Sequence, residues 1–470
     1  MPDDNDSLLQ SYIIRQTQIN WLDPSKARFW GTFFAPYPDT LRYSEAFSTT
    51  SLLTLPLVLA GQTNPLTIFN FGLLLALVLT TVGCFYLFDW VTDNPALASL
   101  GALIFNFSGF HWHYLPHLQV FGLWLIPTSI YLFLRWKKKR QSRFLILLLT
   151  ALTLQAAETF FYFYLCFLAL LLLYLFRPFR LTKKEVYFCL IAGLIWGWLA
   201  YPYWQLTQEF PDAQRDIRDA AYNGLSLNEV FSKYYSLILG LAAIFSFSFW
   251  RRRKNWFWVM LTGLILALGP VLKFNSATIK IFHLPIPLPY TLFYYAIPGF
   301  NGFRTPSRWI ILAALAAVVL ILGRLSRLRK PWPELGGLVL LLLVLAENPP
   351  PPNYPIPIRL PSVYLQVKQL PHEAVIIELP AKLWNMPDNQ IESLRSVYSL
   401  EHQHRRFNGY SGFAPSGWIE LVNLINTQGL TPNLAQRLKN MGITHVVAEN
   451  RLKPIDDFIA HNQSQKFPQN

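Results

Sequence analysis

The sequence predicts an α-helical polytopic membrane protein carrying a small extracytoplasmic α/β domain at its C-terminal end. Three observations carry that expectation. Of the 470 residues, 53% are hydrophobic and only 14% charged, with a mean hydropathy of +0.28, whereas soluble domains are nearer a quarter charged. Nearly charge-free runs recur at 66–88, 96–110, 118–134, 144–176, 186–203, 233–250, 256–272, 308–323 and 335–346. After 347 the composition changes to proline-rich and then mixed polar sequence.

Most of the apolar runs are long enough for a hydrocarbon core of about 30 Å. Helices are expected, because lipid offers the backbone no other hydrogen-bond partners. The run 144–176 is too long for one span and reads as a hairpin of two, giving about ten spans in all. Segment 1–65 reads as an outer loop, 66–347 as the transmembrane bundle, 348–361 as a stiff proline linker and 362–470 as a soluble domain.

The net charge of +14 is concentrated in a way that points away from nucleic acid. Four short loops, "RWKKKRQSR", "RPFRLTKK", "RRRK" and "GRLSRLRK", hold 18 of the 40 Lys and Arg. Each lies between apolar runs, the pattern of cytoplasmic loops. Two spans separate each neighbouring pair, which places 1–65, the stretch 107–121 and everything after 347 outside. The three cysteines, Cys84, Cys166 and Cys189, all fall in apolar runs and form no disulfide or metal spacing.

Within the first loop, Leu8, Leu9, Tyr12 and Ile13 predict an amphipathic helix suited to the membrane interface. The apolar stretch 45–60 is short enough to re-enter rather than span. In the tail, "EAVIIELP" and "ITHVVAEN" predict buried strands, and "PNLAQRLKNMG" predicts a helix stopped by glycine.

Several residues could carry chemistry. Asp3, Asp4 and Asp6 form a carboxylate cluster able to bind a hard cation or to supply a base; helix capping explains them as well. "FSGFHWHYLPHLQVF" holds His111, His113 and His117. The last two are four apart and would share a helical face, as a metal or phosphate site needs, although Pro116 opposes a regular helix there. Interfacial anchoring is the alternative. Two residues apart, His111 and His113 should point to different sides. Glu158 stands at the tip of the 144–176 hairpin and is expected to face water. Glu45 opens the short apolar stretch, as a functional acid or a cap. Arg304 and Arg308 in "PGFNGFRTPSRW" run against the positive-inside bias and suit phosphate; snorkelling is the alternative.

Taken as a set, "DNDSLLQSYII", "FAPYPDTLRYSEAF", "FSGFHWHYLPHLQ", "IPGFNGFRTPSRW" and "RRFNGYSGFAP" resemble bacterial members of the GT-C superfamily. These are polytopic glycosyltransferases that use polyprenyl-phosphate-linked sugars. The resemblance implies transfer from such a donor to an extracytoplasmic glycan or lipid acceptor in the plasma membrane. It implies a catalytic base at Asp6 with Asp4 beside it. It also implies lipid-phosphate contacts from Arg304 and Arg308; Glu45 and Gln119 are further candidate substrate contacts. His113 and His117 are expected to share a cavity with Asp6, where they could hold a divalent metal (Mg or Mn) with it or donate hydrogen bonds to the donor's phosphate. The second outer loop departs from the family pattern, carrying histidines and Gln119 in place of a two-acid metal motif. The family's first transmembrane helix has no counterpart before Met1, so a missing helix is expected. The competing reading is a non-catalytic membrane protein, either a lipid or glycan transporter or an assembly scaffold. Transporters place ionisable residues at mid-membrane in repeated halves, and no such repeat is visible.

Overall fold

The computed structural model describes residues 3, 5–176, 178–230, 232, 234–246, 250–349 and 359–460. The chain divides into two compact units. A helical unit comprises Leu73–Trp204 and Gln214–Pro352; a mixed unit comprises Met1–Gly72, Gln205–Ala213 and Asn353–Asn470.

Four helical stretches are long and apolar enough to cross a membrane: Pro65–Thr92, Leu118–Lys139, Lys183–Glu209 and Pro306–Leu325. The helix Ile310–Leu325 is buried at every position from Ile310 to Gly323. It packs against Pro95–Asn106, Ser236–Ser246, Trp250–Ala267 and Trp332–Glu347. A helix apolar all round must be buried on all sides, and its alanines let neighbours approach closely. A Cβ on Gly263 would stand 2.6 Å from the Ala313 backbone nitrogen, so this crossing needs glycine. By contrast, Leu190, Leu194 and Trp198 of helix Lys183–Glu209 are exposed, leaving an apolar face.

The run 144–176 divides into Ser142–Glu158 and Phe160–Leu175, with only Thr159 extended between them. Glu158 is buried there, not facing water as the sequence suggested. A one-residue break leaves no loop to carry it outward. Arg140, in the first basic loop, pairs with Glu185 at 2.8 Å. Its guanidinium also donates to the Arg180 carbonyl in the second basic loop at 2.9 Å. These two loops therefore lie side by side, as a one-sided placement requires.

Segment 273–307 contains two short antiparallel hairpins. They are β1 (Lys273–Phe274) with β2 (Ala277–Thr278) and β3 (Lys280–Ile281) with β4 (Leu284–Pro285). Their turns place Asn275, Ser276, Phe282 and His283 at positive φ, the geometry of tight two-residue hairpins.

The mixed unit holds a four-stranded sheet of β5 (Val375–Leu379), β6 (Arg405–Arg406), β7 (His445–Ala448) and β8 (Arg451–Pro454), in the order β6-β5-β7-β8. β5 runs parallel to β6 and β7, and β8 is antiparallel to β7. "VIIEL" supplies β5 and "HVVA" supplies β7. Helix Pro432–Asn440 is capped by the Thr431 hydroxyl, which accepts from Leu434 N at 3.3 Å. Gly442 follows at φ +93°, where glycine is favoured.

The first segment and the tail, expected as separate pieces, share this unit. Backbone bonds tie Thr32 and Ala35 to Arg406 and Phe34 to Asn408, laying residues 32–35 along the edge at β6. Helix Asp6–Leu22 packs on Gln390–His402 and Ser48–Leu59. The expected interfacial amphipathic helix is corrected here, because Gln10, Gln16, Thr17, Gln18 and Asn20 are buried along with Leu8, Leu9 and Tyr12. Several of their polar atoms find fixed partners. Gln18 Nε2 donates to the Ser51 carbonyl at 3.0 Å and Thr54 Oγ1 at 2.9 Å, and Asn20 Nδ2 donates to the Trp30 carbonyl at 2.8 Å.

Candidate functional site

In the helical unit the histidine stretch does not form one helix. Helix Gly109–His113 stops at His113, a turn closes with His117 N bonding to the Tyr114 carbonyl at 2.9 Å, and a new helix covers Leu118–Phe121. The expected shared helical face of His113 and His117 is therefore not built, since Pro116 lies between them and proline interrupts helical bonding. The turn instead places both rings around Tyr114. His113 lies 4.7 Å and His117 5.9 Å from the Tyr114 ring centre, and His113 lies 5.2 Å from Tyr234. His111 is turned into the core, 5.1 Å from Phe121 and 6.1 Å from Phe105.

Arg308 joins this cluster. Its guanidinium carbon stands 5.5 Å from the Tyr114 ring centre and 5.9 Å from that of Phe161, within cation–π range. Its Nε is buried and makes no hydrogen bond among the described residues. The loop that delivers it is anchored by buried Trp309, stacked on Phe300 at 6.0 Å. Gly299, at φ +78°, opens the loop. Arg304, four residues earlier, is exposed. Gln119 is buried, and its Oε1 lacks a hydrogen bond among the described residues. A guanidinium with an unused donor suits an anionic oxygen, and the ring it lies over, Tyr114, is shared with two imidazoles.

In the mixed unit Asp6 opens the first helix. Asp3 is the acid that caps it, since its Oδ1 accepts from Ser7 N at 2.8 Å. Asp4 lies outside the described residues. Asn5, the residue before Asp6, is held by the tail at both ends of its amide. Its Nδ2 donates to Asn389 Oδ1 at 3.0 Å and Tyr410 Oη at 3.2 Å, and its Oδ1 accepts from Ser393 Oγ at 2.6 Å. Glu45 is half-buried ahead of helix Ser48–Leu59 and does not cap it; no side chain does.

The motifs "FAPYPDTLRYSEAF" and "RRFNGYSGFAP" interlock in this unit. Phe34 meets Trp418 edge-on at 4.8 Å, and Tyr43 meets Phe413 at 5.2 Å. A Cβ on Gly409 would lie 2.5 Å from the Phe34 ring. Beneath them Arg406 pairs with Glu378 at 2.7 Å and Glu392 at 3.3 Å, and Arg395 with Glu392 at 2.9 Å. Burial lifts the Glu392 carboxyl above its ordinary range, although Arg395 and Arg406 pull it down. Burial, with Arg406 nearby, drops His402 to about 3.

Sequence reasoning singled out Arg308, His113, His117 and Asp6 but missed Tyr114, Tyr234, Phe161 and Asn5. The tyrosines read as interfacial aromatics, and nothing near Asn5 signals a partner almost 400 residues away. Among the described residues no three His, Cys, Asp or Glu side chains are grouped as a metal site needs. No chemical step is derived through a metal on Asp6, His113 and His117. Asp6 belongs to the mixed unit; His113, His117 and Arg308 belong to the helical unit.

No family model matches the chain, and no curated protein matches it. Among solved structures it is similar to the arabinofuranosyltransferase AftD from Mycobacteria, determined by cryo-electron microscopy, with a TM-score of 0.56 and 15% identity. The match covers 95% of this chain and 35% of that one, so the chain spans about a third of that protein's length. At this identity the likeness is one of fold.

Proposed function

We propose that the chain is a membrane glycosyltransferase that moves a sugar from a polyprenyl-phosphate-linked donor to a glycan or lipid acceptor on the extracytoplasmic side. In this reading about ten helices span the membrane, and the mixed unit lies outside. The observation that carries it is Arg308, a guanidinium with a buried, unused Nε over Tyr114, the ring that His113 and His117 also pack against. Likeness of fold to AftD, whose name is that of an arabinofuranosyltransferase, supports it.

The acceptor hydroxyl attacks the anomeric carbon as Asp6 takes its proton. The bond from that carbon to the phosphate oxygen breaks, and its electron pair leaves with the polyprenyl phosphate. Arg308 receives the negative charge, and the two imidazoles donate hydrogen bonds to it. Arg304, Gln119 and Glu45 contact substrate, and Asp4 supports Asp6. Asn5, tied to Asn389, Ser393 and Tyr410, is a positioning residue for the neighbouring Asp6.

The test is transfer by the purified full chain from a polyprenyl-phosphate-linked pentose or hexose. Asp6→Asn should lower turnover about 10²-fold, the range of a lost general base, while donor binding persists. Arg308→Lys should weaken donor binding as well as turnover. Full activity in Asp6→Asn overturns the assignment.

A further inference from the structure

A cavity of about 400 Å³ opens in the mixed unit, walled by the carboxyl ends of two parallel strands. Leu379 and Pro380 come from the end of β5, and Val447 and Ala448 from the end of β7. This position is not arbitrary. From β5 the chain passes to β6 on one side of it, then returns to β7 on the other. The strand order therefore reverses between β5 and β7. In open α/β sheets the crevice at the carboxyl ends beside such a reversal is where ligands bind. The volume falls at the small end of ligand pockets, about 300–1,000 Å³.

The lining selects the ligand's chemistry. Tyr364 and Tyr398 face one another with ring centres 5.0 Å apart, and both line the cavity. Among the described residues Arg395 is the cavity's sole lining cation, but Glu392 neutralises it at 2.9 Å and the Pro380 carbonyl takes another of its donors at 2.8 Å. Among those residues no unspent positive charge is left for a phosphate or carboxylate. At the lip stand exposed Glu449 and Asn450, the two-residue turn between β7 and β8. Both have positive φ, 50° and 57°. That is the geometry of a tight two-residue hairpin, and it holds both side chains beside the cavity. A carboxylate and a carboxamide at the mouth of an apolar, ring-lined pocket fit neighbouring hydroxyls on a ring whose C–H face rests on tyrosine.

We propose that this pocket binds a neutral sugar ring, as a glycan-holding site in the mixed unit. The inference rests on the pocket alone and stands whether or not the chain catalyses transfer, because its readout is binding. The probes are methyl α-arabinofuranoside and methyl α-glucopyranoside, titrated onto the detergent-solubilised full chain and followed by saturation-transfer difference NMR. At least one should bind. Glu449→Ala, an exposed change that leaves the core intact, should weaken it about tenfold or more, as loss of a hydrogen bond to a charged group does. Ala448→Trp, which fills the mouth, should abolish it. Inorganic phosphate should not displace it. Three outcomes overturn the site: no binding of either glycoside, displacement by phosphate, or unchanged affinity in both variants.

Discussion

Two buried helices, one from each unit, solve burial in opposite ways. Ile310–Leu325 is hidden from solvent because it has nothing polar to show, every residue from Ile310 to Gly323 being buried and apolar or glycine. Asp6–Leu22 is hidden although Ser7, Gln10, Ser11, Gln16, Thr17, Gln18 and Asn20 are among its buried residues. The first is stabilised by close packing alone, which tolerates small volume changes at modest cost. The second depends on partners at fixed places, and a buried polar group without its partner is expensive. The same division marks what surrounds them. The mixed unit carries four buried charges, Glu378, Glu392, Arg395 and Arg406, in one network.

That network should give the largest effect. Arg406→Met leaves Glu378 buried without its 2.7 Å partner and removes one from Glu392. Breaking a buried pair from one side costs about 3–5 kcal/mol. Hydrogen exchange of residues 375–448 in the full chain, followed against urea, should show it. A loss under 1 kcal/mol would mean the network is solvated, and the contrast between the units would fall.

A smaller effect should appear with pH. His402 is buried, stacked on Tyr364 at 5.8 Å, and its Nδ1 accepts from His404 N at 3.1 Å. Its folded value of about 3 lies below the ordinary 6.5. The unfolded chain therefore binds the proton first as pH falls. The stability from neutral His402 is complete above about 6.5 and is lost progressively toward about 3. At pH 5, 1.5 units below the ordinary value, the loss is on the order of 2 kcal/mol. His402→Phe keeps the stack and should flatten the acid limb between pH 6.5 and 5. An unchanged slope would assign the acid sensitivity to other groups.

The contrast also explains what the sequence could disclose. The run 308–323 announces an apolar helix, read as a membrane span, because only lipid or a protein core suits it. In "SLLQSYIIRQTQIN" the glutamines read as a solvent face, and only chain far away reveals otherwise, since Gln16 meets Gln403. β5 and β7 were legible as apolar runs of strand length. β6 is "RR", unreadable as a strand because its stability comes from residues 32–35 and the ion network. Arg308 stood out because an arginine opposed the charge bias around it. The tyrosines beside it did not, because tyrosine at an apolar boundary has an ordinary explanation. The histidine spacing suggested a helical face, and the fold reached a common neighbour by a turn instead.

The smallest effect sharpens the comparison most. Ile311→Val removes one methylene from a fully buried side chain in the apolar helix. Such truncations cost about 0.5–1.5 kcal/mol. Gln18→Met removes a similar weight of interaction from the polar helix while keeping its length and volume. It deletes the bonds to the Ser51 carbonyl and Thr54 Oγ1. Thr54 retains an outlet, because its hydroxyl donates to the Thr50 carbonyl at 2.8 Å. The Ser51 carbonyl keeps its helical bond within Ser48–Leu59 and a long one from that same hydroxyl at 3.4 Å. The cost should therefore be about 1–2 kcal/mol, that of two lost hydrogen bonds at about 1 kcal/mol each, and exceed the valine change despite the better volume match. Adding Thr54→Val should not restore it, since the bond to the Ser51 carbonyl stays lost. If Gln18→Met proves milder than Ile311→Val, packing rather than polar pairing governs both helices, and the distinction drawn between them is wrong.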